Sequence, residues 1–265
     1  MKVDAYLRRI RYSGSLAPTA ASLKELHRAH MLSVPFENLD IPLGSPITLS
    51  LSSLYDKIVR RRRGGFCYEL NGLFGWLLEQ LGFRGTMVSA RVFEGGKPGP
   101  EFDHLVLLIE VGERLLADVG FGDSFLEPLL LDAEEESVQD GSSYRLIGLG
   151  PERELQQRRQ SDWEPQYVFS LTPRRLADFH AMCQFHQTSP ESVFTRKAVC
   201  SLATPNGRVT LSNGRLIVTT AGQRDEREVA TEAEYRALLH EYFDITLEEG
   251  AQVARLMAPR MPSKE

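Results

Sequence analysis

The pattern of apolar positions predicts helices in the first third of the chain. The clearest covers residues 66–81, where apolar side chains at positions 66, 70, 73, 74, 77, 78 and 81 share one face of a helix. Gly82 follows at the position of a helix C-cap. Residues 21–31 and 51–62 carry further helical patterns.

Shorter apolar runs, typical of strands, begin at residue 86. Residues 86–93 are rich in β-forming types, residues 94–100 are nearly all turn formers, and the runs 104–110 and 114–119 flank Gly112 as in a hairpin. The remaining patterns predict strands at 143–147, 167–171, 198–202, 208–211 and 215–220, a turn at Asn213-Gly214, and helices at 232–242 and 247–256. Helices, then strands, then a mixed tail predict an α+β fold with an antiparallel sheet.

Composition and charge exclude several classes of protein. Of the 265 residues 42% are hydrophobic and 25% charged, which argues against a disordered or coiled-coil chain. The net charge of −5 disfavours nucleic acid as a partner. No apolar run approaches the roughly 18 residues of a membrane span, and the first 14 residues lack the apolar core of a signal peptide. We therefore expect a cytoplasmic protein without a membrane partner.

The cysteines and histidines do not predict a metal site. Cys67, Cys183 and Cys200 are an odd, sparse set, which argues against a disulfide framework, and none has a Cys or His partner at zinc spacing. His27 and His30 are spaced to share one helix face, but no acidic or Cys ligand lies near them in the sequence. We interpret them as two polar helix residues and predict no metal.

The segment Arg63-Gly-Gly-Phe-Cys67-Tyr-Glu is the first candidate for chemistry. Gly64 and Gly65 permit a tight turn, and the strong helix begins at once, so Cys67 falls in the first helical turn. There the helix dipole favours the thiolate, the nucleophilic form of cysteine. The alternative interpretation of Cys67 is a small buried apolar residue.

A nucleophilic cysteine needs a base, and the hairpin offers one. His104 begins one apolar strand and Asp118 closes the next. With Glu110, Val111 and Gly112 as the loop, residues 104 and 118 lie directly opposite each other on one face. With a two-residue loop at Gly112 and Glu113, 107 opposes 118 and the two side chains point to opposite faces. The sequence allows both registers.

These motifs resemble those of the arylamine N-acetyltransferases. The segments 63–69, 104–108 and 118–122 resemble the three core motifs of that family, each with its Cys, His or Asp in place. Residues 34–41 and 188–195 resemble two further segments of the family. Four such motifs occur in the family's order, with the Cys, His and Asp each embedded.

The resemblance implies a fold, a reaction and its substrates. The fold has an N-terminal helical bundle (1–85), a central antiparallel β-barrel (86–187) and a C-terminal α/β lid (188–265), around a cysteine-protease-like Cys-His-Asp core. The triad carries over to Cys67, His104 and Asp118. Acetyl-CoA is the implied donor. A small aromatic amine, hydrazine or hydroxylamine is the implied acceptor, acetylated through an acetyl-cysteine by a ping-pong route.

The resemblance also assigns supporting residues. Phe36 and Phe121 resemble aromatic residues that line the acceptor pocket, although both suit an ordinary core. Gly120 and Gly122 allow close approach of the cofactor, or are plain turn glycines.

Glu37 and Arg63 are predicted to form a supporting ion pair, because an unpaired carboxylate in the apolar context of Glu37 is costly. Arg63 immediately precedes the glycine turn and offers a planar fork that suits a carboxylate. The alternative is that Arg63 ends a solvated basic run.

Three other functions remain open at this stage. A papain-like cysteine hydrolase shares the cysteine on a helix and the histidine on a strand, but usually pairs that histidine with Asn. An amide synthase of the same superfamily carries similar motifs. A non-enzymatic binding module would not need an intact Cys, His and Asp set.

Overall fold

The computed structural model describes residues 1–133 and 135–258, with helices mainly towards the two ends of the chain. The helices are α1 (Val3–Arg9), α2 (Ala20–Met31), α3 (Asp40–Leu43), α4 (Leu51–Tyr55), α5 (Cys67–Gln80), α6 (His180–Thr188), α7 (Val193–Arg196), α8 (Glu232–Phe243) and α9 (Ala254–Met257). A π-helical turn (Asp56–Arg60) continues α4, and a 3₁₀ turn (Leu176–Phe179) precedes α6. In these two stretches no helix is long and apolar enough to cross a membrane.

The strands form a larger and a smaller antiparallel sheet. They are β1 (Phe36–Glu37), β2 (Arg84–Glu94), β3 (Lys97–Pro98), β4 (His104–Glu110), β5 (Arg114–Ala117), β6 (Leu129–Leu130), β7 (Ser137–Gln139), β8 (Ser142–Leu149), β9 (Glu152–Arg159), β10 (Asp162–Arg174), β11 (Val199–Thr204), β12 (Gly207–Ser212), β13 (Arg215–Thr220) and β14 (Gln223–Glu228). The larger sheet has the order β6-β5-β4-β2-β10-β9-β8-β7, and β3 pairs with β2. The smaller has the order β1-β11-β12-β13-β14.

The larger sheet curls into a nearly closed barrel. Its two edge strands, β6 and β7, are linked through the side chain of Gln139. This amide accepts hydrogen bonds from the backbone of Leu126 and Glu127 and returns one to the Glu127 carbonyl. Gln139 thereby connects the end of β7 to the segment that leads into β6.

Alternation along β4 divides its side chains between two cores. Leu105, Leu107 and Ile109 belong to the core shared with α5, whereas Val106 belongs to the barrel interior. Strand periodicity therefore directs even-numbered side chains of β4 into the barrel, and His104 is one of them.

The α+β fold with an antiparallel barrel is confirmed, with local differences. Residues 51–62, predicted as one helix, begin as α4 and pass into the π-helical turn. Residues 247–256 are helical only from Ala254, because the backbone carbonyls of residues 247, 248, 249 and 251 accept hydrogen bonds from the Arg236 guanidinium instead. The division at residues 85 and 187 stays a prediction.

Candidate active site

Cys67 is the first residue of α5, as predicted. The turn before it lies directly on the segment that precedes β1, because a Cβ on Gly64 would stand 2.0 Å from the Pro35 carbonyl oxygen. A Cβ on Gly65 would stand 2.7 Å from the Glu69 side chain, which accepts a hydrogen bond from the Phe66 N–H at 3.2 Å. The two glycines and the Glu69 cap on the Phe66 N–H thus fix where the helix, and with it the thiol, begins.

Asn71, one turn further along α5, holds the helix against two strand ends. Its amide nitrogen donates to the Leu105 carbonyl at 2.7 Å, and its amide oxygen accepts from the Val119 N–H at 2.9 Å. These backbone groups lie just past the last β4–β5 pair, Leu107 with Ala117. The side chain therefore stands where the two strands would have continued to pair, and it holds the start of α5 there.

His104 and Asp118 meet at this same place. The His104 Nε2 atom lies 2.8 Å from Asp118 Oδ2, and both side chains are buried. The hydrogen bond predicted from the sequence is present. Because the carboxylate only accepts, Nε2 carries the proton and Nδ1 is left with a free lone pair.

The hairpin register predicted from the sequence is wrong by two residues. The loop is Val111, Gly112 and Glu113, and Glu110 pairs with Arg114. Gly112 takes the middle of the loop at φ +87, where a left-handed residue is needed, so β4 runs one residue further and β5 begins one residue later than expected. The shift of two residues keeps His104 and Asp118 on one face as diagonal rather than opposed neighbours.

The Asp118 carboxylate is fully used by hydrogen-bond donors. Oδ1 accepts from the Asn71 amide at 2.8 Å and the Gly120 N–H at 2.9 Å. Oδ2 accepts from the Tyr167 hydroxyl at 3.0 Å in addition to His104. Burial alone would raise the pKa of Asp118, but His104 and these donors hold the pKa below its usual value, so the group stays ionised.

The electrostatics of Cys67 differ from the prediction. We expected the helix start to lower the pKa of the thiol, whereas burial raises the pKa well above its usual value. A backbone hydrogen bond with Leu105 acts in the opposite direction, while Asp103 and Asp118 add to the rise. A free thiolate is therefore disfavoured here, and Cys67 needs a nearby cation to ionise.

Cys67 and His104 line one cleft of about 650 Å³. Both predicted pocket residues, Phe36 and Phe121, line it, and so does Gly120. Further lining residues that the sequence did not single out are Val92, Phe93, Glu94, Gly99, Pro100, Asp103, Phe185, His186, Glu191, Ser192, Val193 and Phe194. The cleft is thus apolar and aromatic around a cysteine and a histidine, a form that suits a flat aromatic ligand.

Comparison with known proteins decides the family. A family model described as N-acetyltransferase matches residues 19–253. The arylamine N-acetyltransferase of Mycolicibacterium smegmatis is 36% identical over 84% of this chain and 84% of its own. This chain belongs to the arylamine N-acetyltransferase family. Solved structures agree: the M. smegmatis enzyme superposes with a TM-score of 0.90 at 33% identity, covering 97% of this chain and 98% of that one.

Another structure in this comparison is the Mycobacterium marinum arylamine N-acetyltransferase in complex with CoA. Its TM-score is 0.88 at 31% identity, and it covers 97% of each chain.

The two other glycines of the resemblance have different surroundings. A Cβ on Gly120 would stand 2.7 Å from the Cys67 Cα, so this position keeps the wall of the cleft against Cys67. Gly122 has φ +94, and its Cβ would stand 3.3 Å from the Phe36 ring. Their assignment to the cofactor stays a prediction. Within residues 1–133 and 135–258 no group of three or more acidic, His or Cys side chains could hold a metal ion.

The ion pair predicted between Glu37 and Arg63 is present and buried. Arg63 Nε lies 2.9 Å from Glu37 Oε1 and Nη2 lies 3.0 Å from Oε2, a bidentate contact. The pair belongs to a larger buried group: Asp40 contacts both Arg63 and Lys57 at 2.8 Å, and Lys57 contacts Glu69 at 2.8 Å. Arg63 is therefore not the end of a solvated run, although its neighbours Arg60 to Arg62 are exposed.

Sequence reasoning missed several neighbours of Cys67, His104 and Asp118. Asn71 had a signal, because it lies four positions after Cys67 on the same helix face. No sequence signal marked Tyr167 beyond its place in a predicted strand. His186 also lies in the cleft, with Nε2 3.1 Å from Asp103 Oδ1 but poorly aligned for a hydrogen bond.

The two histidines of α2 are buried rather than polar surface residues. His30 contacts the Tyr6 hydroxyl through Nδ1 at 3.1 Å. His27 contacts the backbone of both Asp118 and Leu126. Both are polar residues of one helix, as expected from the sequence, and a period of three places them on the inner face of that helix.

Proposed function

We propose that this protein is an acetyltransferase that acetylates the nitrogen, or oxygen, of arylamines, arylhydrazines and arylhydroxylamines with acetyl-CoA. The observation that carries the proposal is the single cleft that contains Cys67 and His104, with His104 hydrogen-bonded to the buried Asp118. The names of the relatives and the M. marinum complex with CoA support the choice of donor and acceptor.

In the first step Cys67 takes the acetyl group. His104 Nδ1 accepts the thiol proton, and the resulting thiolate attacks the thioester carbonyl of acetyl-CoA. The C–S bond to CoA breaks, and His104 returns the proton to the departing CoA thiolate. One thioester replaces another of similar energy, so acetyl-Cys67 accumulates when no acceptor is present.

In the second step the acceptor amine attacks the acetyl carbon of acetyl-Cys67. His104 removes the proton that the amine nitrogen loses, and the Cys67 sulfur leaves as a thiolate. Proton return from His104 to that thiolate restores the starting state. The same imidazole serves both half-reactions, so donor and acceptor occupy the cleft in turn.

Asp118 stabilises the His104 imidazolium, the cation that this cycle needs. A buried thiol whose pKa is raised ionises only if a positive charge forms beside it, and the ionised carboxylate stabilises the His104 imidazolium. The backbone N–H of Cys67 lies in the first turn of α5, where N–H groups lack helical partners, and it is the proposed donor to the developing oxyanion.

The remaining assignments follow from the cleft. Phe36 and Phe121 are the proposed faces for the acceptor ring. Gly120 and Gly122 are the proposed points of close approach for the cofactor. The three-part division at residues 85 and 187 and a cytoplasmic location belong to the same proposal.

Mass spectrometry of the intact protein tests the acetyl intermediate. After brief mixing with acetyl-CoA and no amine, we expect one added acetyl group on Cys67, discharged when an arylamine or arylhydrazine is added. Cys67→Ala should remove the adduct, whereas Cys183→Ala, which changes another buried free thiol, should keep it. An unmodified protein together with steady hydrolysis of acetyl-CoA would instead indicate a hydrolase.

Steady-state kinetics separates the proposed ping-pong transferase from the alternative mechanisms and functions. One cleft used in turn should give parallel double-reciprocal lines for donor and acceptor. Intersecting lines would indicate direct transfer in a ternary complex. Acetyl-Cys67 that no arylamine discharges would favour the amide synthase.

A further inference from the structure

His27 lies against the backbone of Asp118, outside the cleft. Its Nδ1 atom lies 2.7 Å from the Leu126 carbonyl oxygen, and the Asp118 N–H donates to its Nε2 at 3.1 Å. A carbonyl oxygen only accepts and an N–H only donates, so the two contacts define a single neutral tautomer with the proton on Nδ1. Burial also keeps this ring neutral, lowering its pKa to about 4.

The position of the ring explains why these backbone groups need it. Leu116 on β5 pairs with Leu129 on β6, and continuing that register would bring Asp118 opposite position 127. The strands stop before this point, so the imidazole takes the place of a ladder partner for the Asp118 N–H, and its other ring nitrogen bonds the Leu126 carbonyl. Asn71 does the same on the opposite side of this segment, between Leu105 and Val119.

We infer that His27 is a positioning residue for Asp118. The chain leaves the barrel at Ala117, and no strand pairing holds the backbone that follows. The side chains of His27 and Asn71 hold it instead. Asn71 also contacts the carboxylate itself, whereas His27 contacts only the main chain. His27 thus sets the direction from which the carboxylate reaches His104, without touching the reacting atoms.

Packing holds the imidazole in this orientation. The Phe125 ring stacks on it at a centroid distance of 5.6 Å, and the Phe74 ring meets it in a T-shaped arrangement at a centroid distance of 6.0 Å. The side chain is fully buried, and the other titratable groups near it are Asp118 and His30. A rigid neutral imidazole is therefore available over the whole working range of pH.

Three substitutions separate the two hydrogen bonds of His27. His27→Phe keeps a ring and loses both bonds. His27→Gln places an amide oxygen where Nε2 accepts from Asp118, and His27→Asn places an amide nitrogen where Nδ1 donates to Leu126. The matched control is His30→Phe, because His30 is equally buried on the same helix and contacts Tyr6 instead.

The readout is alkylation of Cys67 by iodoacetamide, followed on the Cys67 peptide by mass spectrometry. The rate near pH 7 reports the thiolate paired with imidazolium, and the rate near pH 9.5 reports the fraction of thiolate that forms without an imidazolium beside it. Their ratio does not depend on overall access to the cleft. A displaced Asp118 lowers the ratio, since the imidazolium loses its counter-charge.

The inference predicts that His27→Phe and His27→Asn lower this ratio about tenfold, the scale of one lost buried hydrogen-bond partner. His27→Gln should recover most of it, and His30→Phe should leave it unchanged even where its melting temperature falls. Recovery by Asn rather than Gln, or equal ratios in all variants, would overturn the inference.

This inference rests on the proposed function, and the same experiment distinguishes their failures. A wild-type Cys67 that reacts only as an isolated thiol, with no enhanced rate near pH 7, would contradict the proposed pair of Cys67 thiolate and His104 imidazolium. An enhanced wild-type rate that His27→Phe does not change would contradict only the role of His27.

Discussion

At the scale of the residue, the site depends on which partner of each hydrogen bond carries the proton. The four side-chain and backbone groups around the Asp118 carboxylate all donate to it. That pattern forces His104 to donate from Nε2 and to present Nδ1 as an acceptor. The chemistry of Cys67 is thus decided by a residue that it does not touch.

Replacing the carboxylate by an amide tests this dependence. In Asp118→Asn the amide NH₂ meets other donors, so His104 adopts the opposite tautomer and presents a proton towards the thiol. We expect acetyl transfer to fall by about 10⁴-fold, the scale of this change in other triads. The measurement is turnover with an arylhydrazine acceptor, with folding checked by circular dichroism.

The control is Asp123→Asn, which makes the same change at a mostly exposed carboxylate five positions along the chain. It should retain turnover within about threefold of the wild type. Similar losses in both variants would mean that the loop, and not the His104 tautomer, is being disturbed.

The residue types of the site were predictable from sequence, whereas their supports were not. Cys67, His104 and Asp118 stand in motifs with local signals: a glycine turn before a helix, and two strands around Gly112. Asn71 and His27 act through backbone atoms of distant strands, and no local pattern marks a backbone group that lacks a ladder partner. The thiol pKa was mispredicted for a similar reason, because burial is a property of the assembled fold.

At the scale of the element, the turn before α5 is fixed by a buried ionic group of two cations and three carboxylates. Arg63 and Lys57 face Glu37, Asp40 and Glu69, which leaves one negative charge in excess. Burial of Glu69, with Glu37 and Asp40 close by, raises its pKa to about 7. Burial opposes the ionised form of Asp40 too, but Lys57 and Arg63 hold the pKa of Asp40 below its usual value.

The Glu37–Arg63 contact should stabilise the protein only when both partners are present. We expect Glu37→Gln and Arg63→Met each to lower the free energy of unfolding by about 3 kcal/mol, because each leaves a buried charge without its partner. The double variant should lose much less than the sum, as measured by urea unfolding. Arg63→Lys should recover only part, since an ammonium lacks the bidentate fork. Strictly additive losses would mean that the two side chains are not coupled.

Glu69 should behave differently from Glu37 although both are buried in the same group. Its raised pKa means that the native state keeps a proton that the unfolded chain releases near pH 4.3. Its contribution to stability is therefore complete below about pH 4 and is lost as the pH rises towards about 7. Glu69→Gln should remove this decline and change stability at neutral pH by less than about 1 kcal/mol, because the amide oxygen still caps Phe66.

Thermal melting from pH 4 to pH 7.5 measures this difference. Glu79→Gln, an exposed change on the same helix, is the control and should follow the wild-type curve. A Glu69→Gln protein that loses stability with rising pH as steeply as the wild type would show that Glu69 is ionised throughout.

Element boundaries show where sequence patterns stop being sufficient. The period near 3.6 predicted α5 to within one residue at each end. The hairpin was harder, because two registers that differ by two residues place the same side chains on the same face. The C-terminal segment 247–251 was mispredicted because a side chain from α8, Arg236, takes the carbonyls that a helix would have used.

At the scale of the whole molecule, the short segment around β1 connects the N-terminal helices to the smaller sheet. β1 pairs with β11, and Glu37 N–H donates to the Gly65 carbonyl at 2.8 Å. The buried Asn38 amide donates to the carbonyls of Phe194 and Lys197 and accepts from the Val199 N–H. One side chain thus secures the wall of the cleft that carries Phe194.

Asn38→Ala should therefore weaken the whole molecule rather than one element. Three partly buried backbone groups lose their partner, so we expect the free energy of unfolding to fall by about 2–5 kcal/mol. Limited proteolysis should cut first within residues 189–198. Asn206→Ala, in the exposed β11–β12 turn, is the control and should stay within about 0.5 kcal/mol of the wild type. A proteolysis pattern unchanged from the wild type would mean that Asn38 does not hold this wall.

The ribosome synthesises the two sides of the cleft at different times. Asn38 is made 161 positions before Val199, its partner, whereas Cys67, His104 and Asp118 lie within a stretch of chain that emerges together. Nearby segments associate before distant ones, so α5, β4 and β5 assemble while β1 still waits for β11. A nascent chain of about 130 residues consequently carries the cysteine, the histidine and the aspartate with one side of the cleft still missing. The wall that bears Phe194 is added after the cysteine, the histidine and the aspartate.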